Sequence, residues 1–558
     1  MGGATNLFVL WLAGGFGLVL GQTWCGKNYM ASSPVVPPGG EFPIPETSDV
    51  PLLALRCGQA VKPYLPEDIT PTDDSSFVSI LVDTPVVFSK ITGAEPISDT
   101  SSDLSVTVIV DGETLTSGTV PLNATKHPLT FSLSSLEPRT EAYAISCQAS
   151  VGGQNFTHDT ILTYLPEKPT DIGSVTKMDM RTGALLARPA DGSDGPYERV
   201  LPIGFYTQFD NFLAKNLSAI KVLKDQGFNI IHPVPSFENM TALDEVLDEM
   251  QRVGLYLMYD MRGTYMNDTS VTEQVNSIKS RANLLLWYTA DEPDGTSDPL
   301  NATFHSKNLI NSLDGGDGAG GAGYHPVSLV LNCQNFEFTA YTSGADIVMQ
   351  DTYMIGNNVT HSTQWNTVCT TEYGDCGCDN CKGRFEDISD RMEDFKERIF
   401  INGWELEKAV WTVPQAFGNE TYWKRFPTGK EFVVQSVLGI NHGGLGVVPW
   451  DDPTSTDIKA SSSALALSLP EMTPFILDPS ATFRQVTSDR IDVGLWTVGD
   501  RTLVLASNMN YEEKTLDLEQ LLGSSVSNLQ QVLDSGSSST EGMLTFEEVG
   551  SGAWIVTA

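Results

Sequence analysis

The chain is short of positive charge. It carries 33 lysines and arginines against 70 acidic residues, a formal net charge of -37. Phosphate backbones and anionic headgroups are repelled by such a surface, which argues against nucleic acid or acidic membrane as partners. Histidine is scarce, with 7 in all, and only His232 and His442 lie near a predicted strand. A metal-dependent amidohydrolase barrel would need several at its strand ends. No Gly-x-Ser-x-Gly elbow and no phosphate-binding loop occurs, which sets aside serine hydrolases of the elbow type and P-loop enzymes. Nothing calls for a cofactor or a metal. Beyond the first twenty residues no run is long and apolar enough to span a bilayer, and no apolar tail suggests a lipid anchor.

What is present points to export. Leu7 to Leu20 is apolar and is followed by small residues, the pattern of a cleavable signal peptide over 1–21 with a cut near Gly21-Gln22. The first six residues lack Lys and Arg, and Asn6 stands where a myristoylation signal would have Ser or Thr. Sequons at Asn123, Asn155, Asn216, Asn239, Asn267, Asn301, Asn358 and Asn419 exceed chance and fit a secreted glycoprotein. Those after predicted strands, Asn239, Asn267, Asn358 and Asn419, are expected on the rim of the active face. The 8 cysteines suit an oxidising compartment. Cys25, Cys57 and Cys147 form an odd early group, and Cys333, Cys369, Cys376, Cys378 and Cys381 an odd later one. Either one bridge joins the groups or two thiols stay free. In "CTTEYGDCGCDNCKG" a four-thiolate zinc site competes with a disulfide-stapled loop, and the absence of a second C-x2-C favours the loop. The protein is expected outside the cell, either free or attached to the wall, and as a monomer.

The length of 558 residues implies two to four domains. Residues 22–175 are rich in Pro, Thr, Ser and Val, with short alternating runs such as "LSVTVIVDG", and predict a β-sandwich-like domain. A polar linker around "ARPADGSDGPYE" follows. Over 198–472 eight apolar runs alternate with helix-period segments: "PIGFYTQ", "NIIHPVPS", "LYLMYDMRG", "LLLWYTADE", "VSLVLNCQ", "ADIVMQDTY", "AVWTVPQAF" and "LGVVPWDD". Near-continuous apolar strands covered by helices predict a (β/α)8 TIM barrel. An open doubly wound sheet is disfavoured because no Gly-rich fingerprint follows the first strand. After Leu469-Pro470 the helical patterns nearly stop, and 473–558 predicts a small antiparallel β-sandwich.

Barrel active sites lie at the C-terminal ends of the strands. Those ends offer His232, Asp260, Trp287, Tyr288, Asp291, Glu292, Asn332, Asp351, Tyr353, Gln415, Trp450 and Asp451. Acids, amides and aromatics with few bases suit a sugar, whose hydroxyls meet carboxylates and amides while its apolar face rests on rings. Glycosidic cleavage needs one protonated carboxyl and a second carboxylate. Glu292, beside Asp291 and near Trp287 and Tyr288, fits the acid through a raised pKa. Asp260 can equally be half of a structural ion pair with Arg262, and His232 a hydrogen-bonded wall residue.

"TADEPDG" resembles the strand-four signature of a large clan of secreted multidomain (β/α)8 glycoside hydrolases, in the style of fungal enzymes. The resemblance covers about half the chain and rests on a short motif. It implies a carbohydrate substrate and Glu292 as general acid/base. The clan's nucleophile is a glutamate ending strand seven, where this chain has Gln415, and an amide cannot take that role. Asp351 and Asp451 remain as partners, alongside an inverting use of either. Asp291, Trp287, Tyr288, Asp260, Asn332, Tyr353, Gln415 and Trp450 are expected to line the sugar site. The alternative is a non-catalytic carbohydrate-binding or wall-associated protein on a degenerate barrel, which Gln415 keeps open.

Overall fold

A computed structural model describes residues 23–557 apart from 34–35, 37–38, 70–73 and 75. The expected signal peptide, 1–21, lies outside the described residues. At the centre is a curled parallel sheet of nine strands: β1 Gly204–Gln208, β2 Ile230–Val234, β3 Tyr256–Asp260, β4 Leu284–Asp291, β5 Val327–Leu331, β6 Ile347–Gln350, β7 Ala409–Thr412, β8 Gly444–Val447 and β9 Trp450–Asp452. Its order follows the chain from β1 to β8, while β9 pairs with β1. β8 and β9 are two halves of one apolar run, interrupted at Val448-Pro449. Val447 bridges Ile203 and Trp450 bridges Gln415, so this stretch reaches both edges of the sheet.

Alternation along each strand sorts the side chains. Tyr206, Met258, Leu286, Tyr288, Met349 and Trp411 share an inner core. Phe205, Leu257, Tyr259, Trp287, Leu329, Val348 and Val410 face the surrounding helices. The helices are α1 Ser218–Asp225, α2 Met240–Val253, α3 Asp268–Ile278, the single turn α4 Pro293–Thr296, α5 Ala302–Leu313, α6 Phe338–Thr342, α7 Glu386–Asn402, α8 Gly429–Asn441 and α9 Thr456–Ile476. Asn239 and Asn267 cap α2 and α3 through their side chains. Both are exposed on loops after β2 and β3, as Asn358 and Asn419 are after β6 and β7.

Several antiparallel sheets surround this body. Strands 104–110, 113–120, 143–151 and 154–162 form one layer and 56–59, 79–83 and 127–130 another, with Cys57–Cys147 linking the two. A six-stranded sheet over 482–557 packs on α8 and α9. Three features depart from the sequence expectation. The stretch on either side of the expected linker pairs into a four-stranded sheet of 61–62, 176–179, 184–187 and 198–200. Its Met178, Leu185 and Val200 join the inner core, so it forms a floor below the central sheet. Residues 23–28, assigned to the sandwich, form a hairpin at the opposite, C-terminal end of the central strands. Helix α9 runs through Pro470 and Pro474 to Ile476, where the pattern suggested a stop at 469.

The cysteines pair as Cys25–Cys333, Cys57–Cys147, Cys369–Cys376 and Cys378–Cys381. The odd groups are therefore joined by one bridge, and the zinc reading of the cysteine loop is overturned. No helix among the described residues is long and apolar enough to cross a membrane.

Candidate active site

Three consecutive strand ends bring the chemistry together. Glu292 follows β4 with φ 52 and ψ 48, a left-handed conformation that a glutamate adopts at a cost. Pro293, at the start of α4, fixes the chain just beyond it. Asp351 follows β6 and is only 3% exposed. Asn332 follows β5 between them. Its Nδ2 donates to Glu292 Oε1 at 3.1 Å and to Asp351 Oδ1 at 3.3 Å. Those two oxygens can be no farther apart than two hydrogen bonds end to end.

Two carboxyls that near cannot both ionise readily. Burial raises the Glu292 pKa; the neighbouring Asp351 carboxyl and the Arg262 charge oppose the rise, and the Asp291 charge adds to it. Asp351 is pushed well above the carboxylate range by burial, then by the Glu292 carboxyl beside it, with Asp294 and Asp291 adding to the rise. The pair therefore shares one proton.

The support around the pair is built from polar groups with fixed partners. Asp294 accepts from the backbone of Gly295, Asn332 and Cys333, tying the end of β5 to the turn after β4. Its burial pushes its pKa up to about 8. Asp291 accepts from Tyr288 Oη at 2.5 Å and from Arg262 Nη1 at 2.8 Å. Arg262 also donates to Asp260 Oδ2 at 2.7 Å, and His232 Nε2 lies 2.6 Å from the same oxygen. Burial would raise the Asp260 pKa, but Arg262 and His232 hold it below the usual range. Burial lowers the His232 pKa against the pull of Asp260. The Arg262 guanidinium sits 4.9 Å from the Trp450 ring centre and also over Tyr206 and Tyr288.

Three sequence candidates belong to this cluster by direct contact: Glu292, Asp351 and Asn332. Asp291, Tyr288, Asp260 and Trp450 are linked to one another through Arg262. Tyr353 lies buried against Phe417 and Trp423, where the Asp351 and Glu292 charges reach it. Asp451 is set apart on β9, paired with Gln208 at 2.9 Å. Two expectations are corrected. Trp287 points outward, because its place in β4 alternates with Tyr288, and its indole donates to Asp314 behind the sheet. Gln415 is fully buried, with its amide spent on Ile355 and Phe417 backbone groups, so it has nothing to offer a hydroxyl.

Sequence patterns did not single out Trp24 or Asp294, and did not place the cysteine loop at the site. Trp24 Nε1 donates to Asn332 Oδ1 at 3.0 Å. Asp375 of the cysteine loop accepts from Tyr422 Oη at 2.6 Å, and its charge reaches Glu292. Trp365 donates to the same Tyr422 hydroxyl and stacks on Tyr29 with ring centres 4.5 Å apart. The only available signal was the adjacency of Trp24 to Cys25 and of Asn332 to Cys333. No group of three or more His, Cys, Asp or Glu among the described residues has metal-site geometry. A crevice of about 880 Å³ lies elsewhere, between the floor sheet and α9. There Lys177 pairs with Asp68, and Asp179 with Arg181.

No protein-family model matches the chain. No curated protein matches it in sequence. Among solved structures it is similar to a Bacteroides fragilis protein provisionally described as an alpha-galactosidase, at 12% identity over 84% of this chain and 93% of that one, TM-score 0.42. A second B. fragilis protein, provisionally an alpha-galactosidase/melibiase, gives 10% identity over 93% and 98%, TM-score 0.41. An alpha-amylase from Geobacillus thermoleovorans gives 10% over 62% and 92%, TM-score 0.38.

Proposed function

We propose that the chain is an extracellular glycoside hydrolase on a (β/α)8 barrel that cleaves glycosidic bonds with retention. The observation that carries this reading is the Glu292–Asp351 carboxyl pair, held by one amide at the C-terminal end of the central strands. Retaining enzymes set their carboxyls about 5–5.5 Å apart, and inverting ones roughly 6.5–9.5 Å apart to admit a water. Two carboxylate oxygens held 3.1 and 3.3 Å from one amide nitrogen favour the shorter separation.

The Arg262 cation acts on Glu292, and on that ground the roles are assigned in the reverse of those that the strand-four resemblance implies. Asp351, surrounded by acids, keeps the proton and is the general acid. Glu292, which feels Arg262, is the carboxylate nucleophile. As Glu292 attacks the anomeric carbon, the bond to the leaving oxygen breaks and Asp351 gives that oxygen its proton. The Asp351 carboxylate then takes a proton from water as the water attacks the same carbon, which frees Glu292. Asn332 donates to both carboxyls throughout. Four disulfides suit an oxidising compartment. With Gln415 in a structural role, the feature that favoured a degenerate barrel no longer does so.

A panel of aryl and alkyl glycosides tests the assignment. Glu292→Gln is expected to lose activity on all of them, by about 10³-fold or more as for other removed nucleophiles. Asp351→Asn is expected to keep the first step on aryl glycosides, whose leaving groups need no proton, seen as a burst of released phenol followed by slow turnover for want of the base, and to fail at the first step on alkyl ones. The opposite pattern would exchange the roles. Full activity in both variants would end the proposal.

A further inference from the structure

We infer that Trp24 is a positioning residue for the carboxyl pair, and that the Cys25–Cys333 disulfide is the clip that holds it in place. The inference deepens the glycosidase reading and rests on it only for turnover.

An asparagine amide has one accepting and one donating end, and facing a carboxylate with the wrong end is repulsive. Asn332 must point Nδ2 at Glu292 and Asp351. The Trp24 indole, a pure donor, can bind only Oδ1, and does so at 3.0 Å. A donor on Oδ1 fixes which way the amide faces. The covalent link joins the residues next in sequence to both partners, Cys25 and Cys333. The seat of the indole is equally specific. A Cβ on Gly295, three residues after Glu292, would come within 2.5–2.8 Å of the indole atoms, so the ring lies against bare backbone. The hairpin has further anchors on the cysteine loop. Lys27 Nζ binds Asp379 at 2.5 Å, and Gly374 N donates to Asn28 O at 2.8 Å. A segment some 300 residues from the pair in sequence therefore acts on it through one amide.

The test uses the full-length secreted protein labelled with ¹³C at the glutamate carboxyls, the Glu292 signal being assigned by its loss in Glu292→Gln. Its titration midpoint is followed in wild type, Trp24→Phe, Asn332→Ala and the double variant, with thermal midpoints showing that each is folded. Phenylalanine keeps the ring and removes the donor. Losing a donor to an ionised carboxylate raises its midpoint. The midpoint is expected to rise in Trp24→Phe and in Asn332→Ala, with no further rise in the double variant, since both act through one group. Cys25→Ala/Cys333→Ala is expected to shift it the same way. Turnover should fall in kcat by about tenfold, the size of one hydrogen bond to a charged group, with KM held. An unchanged midpoint in Trp24→Phe, additive shifts, or a rise in KM alone would overturn the inference, the last making Trp24 a sugar platform. An unchanged midpoint without the disulfide would remove the clip. Should the midpoints move as expected while wild type cleaves no glycoside, Trp24 keeps its role and the glycosidase reading falls.

Discussion

Glu292, Asp351 and Asn332 come from three turns of chain that share nothing but their places after β4, β5 and β6. Each was legible because an acid or amide ending an apolar run needs a partner, and barrel topology says where partners meet. Gln415 was legible as an oddity and was misjudged. Its amide closes a buried backbone gap near Ile355 and Phe417. Gln415→Ala is therefore expected to cost about 1–3 kcal/mol of stability by stranding those groups, with sugar affinity unchanged once the protein is folded. Denaturant titration beside ligand binding checks this, and a loss of affinity without loss of stability would restore the sugar-binding role.

The eight apolar runs each became strand, with the last divided into β8 and β9 because Pro449 cannot donate to a ladder. Their parallel pairing follows from two-sided burial. The outward face of Trp287 was decided by register within β4, which composition does not reveal. Register also explains Gly204 at the start of β1, where a Cβ would lie 1.8 Å from the Ile230 carbonyl oxygen of β2. Gly204→Ala is expected to push β1 off β2 and to cost about 1–3 kcal/mol or more, read as a lower denaturation midpoint. A neutral result would mean that the strands separate there without strain. Helix α9 survives Pro470 and Pro474 because its apolar side is buried against the sheet of 482–557, which outweighs local propensity.

That terminal sheet is docked on the central body partly through charge. His442, ending α8, lies 2.9 Å from Asp492 of the sheet and 2.8 Å from Glu393 of α7. Burial alone would lower its pKa, but the two acids push it up to about 9 from 6.5. A histidine raised in the folded state stabilises fully below 6.5, and that contribution fades as pH climbs through about 9. His442→Gln is therefore expected to lower the melting temperature most near pH 6, with the gap to wild type closing by about pH 9.5. A gap independent of pH would show that the contact is steric. On the scale of the whole chain, the sequence by itself determined the alternation of strands and helices, the antiparallel sheets flanking them and the acids at the strand ends, since each is set by local periodicity and burial. Only the tertiary structure decided that Asp351 and not Asp451 meets Glu292, that 176–200 floors the central sheet, and that Trp24 reaches Asn332. Contacts across such separations depend on how the sheet curls and where a disulfide closes, and neither leaves a period in the sequence.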